Sequence, residues 1–218
     1  MTMVTIAPAA PVAGHASGVR VRRLGRAEYE PTWRAMQEFT SRRGRSAVDE
    51  MWLTEHPPVY TLGVAGRAEH LPRGASAIPV VKVDRGGQIT YHGPGQIVAY
   101  LLLDMRRRQL AVRALVRIME QAVIDLLDAR GIQAQGRPGA PGVYVDGAKI
   151  AALGLRVRNG CCYHGLAFNV DMDLTPFHAI DPCGYPGLRV TQARALGVTA
   201  SMAALGEELT RHLLLGLS

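Results

Sequence analysis

The chain has 218 residues, 48% hydrophobic and 20% charged, which suits one domain or at most two with a substantial core. Its formal net charge of +7 favours acidic partners, but aromatics make up only 6% and no basic stripe interleaves with them, which argues against nucleic acid. Three cysteines without framework spacing point to a reducing, cytoplasmic setting, and no charge-free apolar run approaches the length of a transmembrane helix, so no membrane role is expected.

The first 18 residues are small and Ala/Pro-rich and lack the basic start of a signal peptide, so 1–18 reads as a disordered tail and 19–218 as one domain. Tyr29, Trp33, Met36 and Phe39 fall on one face of a predicted helix and read as core packing. "MWLTEHPPVYTLG" is extended and broken at Pro57-Pro58, "IPVVKVD" is strand-like, and "QIVAYLLLD" suits a buried strand. The apolar residues between Val112 and Arg130 recur at helical spacing up to Gly131. "GVYVDGAKIAALGLRVRNG" reads as two strands around a tight Asp146-Gly147 turn, "CYHGLAFNV" as another strand, and "MAALGEELTRHLLLGL" as a final helix. This order predicts an α/β or α+β domain around a mixed sheet flanked by helices.

Two lysines, Lys82 and Lys149, stand among 25 basic residues. Arginine effectively never deprotonates, whereas a lysine in an apolar setting such as Gly147 to Ala152 can act as a base or pair closely with a thiolate. Cys161 and Cys162 are adjacent in a strand, face opposite ways and read as packing residues. Cys183 lies in "DPCGYPG", where prolines and glycines hold a thiol on a shaped loop, and a thiol needs a nearby positive charge or base to become a reactive thiolate. Lys149 and Cys183 are therefore complementary candidates.

"DRGGQITYHGPGQIVAY" is not a phosphate loop; its glycines let backbone approach a ligand, with Ile89 and Tyr91 suited to the wall of an alkyl tunnel, and a ligand-free glycine-rich hairpin as the plainer reading. His92 is a candidate for orienting a polar group or moving a proton, but an isolated histidine is commonly structural. His56, His70, His164 and His178 lack metal-ligand spacing, and neither metal nor cofactor is expected.

The stretch "RGGQITYHGPGQIVAY" resembles the signature of the lipoate-biosynthesis octanoyltransferases, and "APGVYVDGAKIAALGLRVRNGCCYHGLAFNVDMDL" and "DPCGYPGLRVTQ" resemble the family's two later blocks in order and spacing. The similarity runs from about residue 20 to the C-terminus and includes "TLGVAGRAEHL". It implies the fold of the biotin and lipoate protein ligases. It assigns the acyl-thioester nucleophile to Cys183 and the lysine that lowers its pKa to Lys149. Substrate contacts fall on Arg85, Gly86, Gly87, Gln88, Ile89, Thr90, Tyr91 and His92, on Ala152, Leu153 and Gly154, and on Gly165, Leu166 and Ala167. The implied donor is octanoyl-acyl carrier protein. The implied acceptors are lipoyl domains of 2-oxoacid dehydrogenases and the glycine cleavage H protein, and a monomer is expected.

The residues agree with such chemistry. A carrier thioester is already activated, so the missing phosphate loop costs nothing, and amides near Gly154 or Gly165 are candidates for the oxyanion site. The competing readings are an ATP-dependent lipoate or biotin ligase on the same fold, which leaves Cys183 and Lys149 without roles, and a non-catalytic module that binds lipoyl domains or carrier protein.

Overall fold

The computed structural model describes residues 18–74, 76–181 and 187–218, so the predicted tail, apart from Gly18, and Cys183 lie outside the described residues. β1 (Val19–Arg26) alternates valine and arginine, turning Val19 and Val21 inward and Arg20 to solvent. Helix α1 (Tyr29–Arg42) crosses to β2 (Asp49–Glu55), which runs parallel to β1.

Pro57 and Pro58 lack backbone donors, and the chain leaves the large sheet there. β3 (Val59–Leu62), β4 (Val80–Lys82) and β5 (Ile89–His92) form a small sheet in the order β4-β3-β5. β6 (Gln96–Asp104) returns to the large sheet, so the glycine-rich stretch is no hairpin. Its two strands belong to different sheets. The large sheet continues through β7 (Gln135–Gly136), β8 (Gly142–Val145), β9 (Ala148–Arg158) and β10 (Cys161–Asn169) in the order β1-β2-β6-β10-β9-β8-β7. The β8–β9 connection is the predicted tight turn: Asp146 and Gly147 have φ of 46° and 80°.

Helices α2 (Val112–Asp128) and α3 (Met202–Gly216) cover one face of this sheet, where Ala99, Leu101 and Leu103 meet Met119, Leu126, Leu209 and Leu213. The opposite face receives Met36 and Trp33 of α1 on Trp52, Val98, Tyr100 and Leu102. β6 is thus buried on both sides, which is why its sequence shows no polar alternation. Cys162 packs in the core under α2 and α3 and Cys161 is half-buried. Burial pushes the Cys162 thiol up to about 12 and the Cys161 thiol upward as well, so both stay protonated at neutral pH. Among the described residues, no helix is long and apolar enough to cross a membrane.

Candidate active site

One irregularity in β9 aims Lys149. Val143 pairs with Ala151 but its neighbour Tyr144 pairs with Lys149, so β9 carries one extra residue, a β-bulge. Ile150 and Ala151 consequently both enter the core under α2 and α3. Alternation on either side of that pair then turns Lys149 and Ala152 to the other face of the sheet. Lys149 is 2% exposed. Its side chain runs along β8: Nζ donates to the Pro141 carbonyl at 3.3 Å and lies 5.2 Å from the centre of the Tyr144 ring. Its backbone is equally held. The Lys149 amide donates to the Arg189 carbonyl at 2.8 Å, the Thr191 amide donates to the Lys149 carbonyl at 2.9 Å, and Lys149 bridges Val190 in parallel.

On the same face lies an apolar cavity between the two sheets. Its floor is two cross-strand pairs of small residues, Ala152 with Ala167 and Gly154 with Gly165. Gly165 is required by packing, since a Cβ there would collide with the Ala99 carbonyl oxygen. Leu153, Leu166, Arg85, Gly87, Gln88, Ile89, Thr90 and His92 complete the sequence-predicted residues that line it. Gly86 lies one step away. It lines an adjoining hollow that shares Gly87, Gln88, Leu153 and Gly154 with the cavity and includes Pro141, which accepts the Lys149 bond. Tyr91 faces elsewhere: its ring packs 5.5 Å from those of Tyr60 and Phe177, so it is no part of this wall. Gly165 is paired on both edges, with Gly154 and Tyr100, which commits its backbone to the sheet.

Arg85 holds the roof in shape. Its guanidinium donates to the Thr61 carbonyl at 2.6 Å, the Thr61 hydroxyl at 2.8 Å, the Gln88 carbonyl at 3.0 Å and the Gly86 carbonyl at 2.9 Å. The Gly86 amide in turn donates to the Leu155 carbonyl at 2.9 Å, docking the loop on β9.

Four lining residues escaped the sequence patterns: Tyr29, Val98, Tyr100 and His164. Tyr29 sits on the helix face read as core, and its ring stacks on His92 at 5.6 Å. His56 donates from Nδ1 to the Ala27 carbonyl at 2.6 Å and accepts the Tyr100 hydroxyl at Nε2 at 2.7 Å. His92 donates from Nδ1 to Gln96 Oε1 at 2.7 Å. Burial pushes His56 down to about 4, and burial together with neighbouring His56 pushes His92 down to about 3, so both are neutral at pH 7. Burial likewise raises the Tyr29 phenol to about 12. The cavity wall is uncharged except at Arg85.

His164 has φ of +65°, and the pairing of β10 with β6 lapses at Tyr163 and His164 before resuming in the same register. This kink lets His164 stack on Tyr163 at 5.1 Å and donate from Nε2 to Asp84 at 3.0 Å, leaving Nδ1 buried without a partner among the described residues. Asp84 also accepts Trp33 Nε1 at 2.8 Å, Gln37 Nε2 at 3.1 Å and the Tyr163 hydroxyl. Burial opposes its ionisation, but the donors from His164, Tyr163, Trp33 and Gln37 outweigh burial and hold the carboxyl well below the usual range.

The fold is that of the lipoate- and biotin-protein ligases. A lipoate-protein ligase A solved with ATP superposes with a TM-score of 0.72 at 15% identity, covering 90% of this chain and 84% of that one. The biotin protein ligase of Aquifex aeolicus with biotin and ATP follows at 0.55 and 10% identity, covering 92% and 70%. Sequence is more specific. The lipoyl protein ligase A/B catalytic domain matches residues 28–214, and an octanoyltransferase of Azoarcus sp. (strain BH72) is 64% identical over 204 residues, 94% of this chain and 90% of that protein. The chain belongs to the octanoyltransferases, acyltransferases within the lipoyl protein ligase A/B catalytic-domain family.

Proposed function

We propose that the chain carries an octanoyl group from octanoyl-acyl carrier protein to the target lysine of lipoyl domains, including those of 2-oxoacid dehydrogenases and the glycine cleavage H protein, through a thioester on Cys183. The reaction is cytoplasmic protein lipoylation. The observation that carries this reading is Lys149: a 2%-exposed amine turned onto the cavity face, its backbone tied to Val190, seven positions beyond Cys183 in sequence.

An ordinary thiol has a pKa of about 8.5, and a neighbouring ammonium stabilises the thiolate. The thiolate attacks the carrier thioester, the carbon–sulfur bond to the carrier breaks, and the departing carrier thiolate takes a proton from Lys149. Lys149, now neutral, takes a proton from the incoming ammonium; the free amine attacks the acyl-enzyme, the carbon–sulfur bond to Cys183 breaks, Cys183 leaves as the thiolate beside protonated Lys149, and the second amine proton passes to solvent, giving an amide. The amide is more stable than the thioester. No ATP is consumed because the donor arrives activated. The alkyl chain lies over Ala152, Gly154, Gly165 and Ala167 under the Arg85–His92 roof.

Intact-mass analysis after mixing with octanoyl-carrier protein tests this. The wild type gains an octanoyl adduct and Cys183→Ala gains none; an adduct that persists in the variant moves the nucleophile elsewhere. Lys149→Arg keeps the charge but loses transfer to the amine by about 100-fold or more. Ligation of free octanoate with ATP, without carrier protein, is the result that favours a ligase.

A further inference from the structure

Three cations, Arg137, Lys149 and Arg189, gather around the β8–β9 turn. The Arg137 guanidinium carbon lies 4.3 Å from the centre of the Tyr144 ring, and Lys149 Nζ lies 5.2 Å from the same centre. Arg189 donates from Nη2 to the Asp146 backbone carbonyl at 2.7 Å. Nη2 of Arg137 and Nη2 of Arg189 lie 3.3 and 3.6 Å from the position a Cβ on Gly147 would take. The two guanidinium nitrogens are therefore within about 7 Å of each other, where like charges repel unless an anion joins them. Neither arginine has an ion pair among the described residues, Asp146 offers Arg189 only its backbone, and residues 1–17, 75 and 182–186 contain no Asp or Glu.

We propose that Arg137 and Arg189 dock a carboxylate that flanks the target lysine on the acceptor lipoyl domain, an inference that rests on octanoyl transfer to that lysine. Reach selects this anion. Arg137 and Lys149 share one ring, so the Arg137 guanidinium carbon stands within about 10 Å of Lys149 Nζ, and Arg189 within about 7 Å of Arg137. A lysine side chain, with bonds of about 1.5 Å, spans about 6 Å from Cα to amine. An acceptor backbone that delivers its amine to Lys149 past the β8–β9 turn brings an acidic side chain one or two residues from the lysine within reach of Arg137 and Arg189. The phosphodiester of the carrier's pantetheine arm is separated from its sulfur by a chain roughly two to three times as long, and lands elsewhere. Bidentate guanidinium–carboxylate contacts would fix the orientation of the acceptor as well as hold it.

The test separates the two half-reactions of the full-length enzyme. Arg189 is exposed, so Arg189→Glu is expected to fold. Adduct formation from octanoyl-carrier protein stays within about twofold of wild type, while KM for an unmodified lipoyl domain rises about tenfold. Changing the flanking carboxylate of that domain to lysine restores the KM of the variant, and Arg189→Lys stays near wild type. Arg137→Gln raises the same KM. An unchanged acceptor KM, or a loss confined to adduct formation, overturns the proposal; the latter assigns the pair to the carrier. A wild type that forms no adduct overturns the transfer reading itself, and this inference falls with it.

Discussion

At the scale of single residues, the cavity is built from neutral polar groups whose protonation the fold opposes. His92 and His56 have folded pKa values of about 3 and about 4, against about 6.5 in an unfolded chain. Between those values the unfolded chain binds protons that the folded chain refuses. Stability is therefore full above about pH 6.5 and lost as the pH falls toward 4 and then 3. Calorimetric melting temperatures should fall steadily from pH 7 to pH 4, and His92→Gln should flatten that slope; an unaltered slope would show that His92 charges freely in the folded state. Such residues were partly legible. His92 stood out within a glycine-rich motif, whereas His164 gave no signal, because its orientation depends on a positive φ and on Asp84, 80 positions away. Tyr29 misled for another reason: helical periodicity marks a face as buried without saying whether that face meets core or cavity.

Among elements, the strongest patterns were those with one dominant local cause. α2 was legible because six buried apolar residues recur at its helical period, and β6 because both faces are covered. Replacing Leu126, fully buried against α3, with alanine should cost about 2–5 kcal/mol in chemical denaturation, while Val112→Ala, at a 45%-exposed position, should change stability by no more than about 0.5 kcal/mol. Equal effects would mean that α2 does not pack as described. β1 went unread although its Val-Arg alternation is plain in hindsight, since its partner β2 is reached only through a parallel crossover. The separation of β5 from β6 into different sheets was hidden for a similar reason. Adjacent strands with glycines between them suggest a hairpin, and only the pairing of β5 with β3 shows otherwise.

For the molecule as a whole, the net charge of +7 acts at long range, where the proposed arginine pair would act at contact. Screening contracts from about 10 Å at 0.1 M salt to about 3 Å at 1 M. If the proposed carrier is drawn in by this charge, its KM should rise with added salt while kcat holds, and a salt-independent KM would remove steering from the account. The charge excess was legible from composition; the meeting of Arg137, Lys149 and Arg189 was not, because three distant stretches supply it. Under the proposed chemistry, the extra residue in β9 binds reactivity to architecture in one stroke. An engineer who straightened that strand to make a sturdier protein would be editing the aim of its amine, so gains in robustness and losses in turnover should arrive together at this point of the backbone.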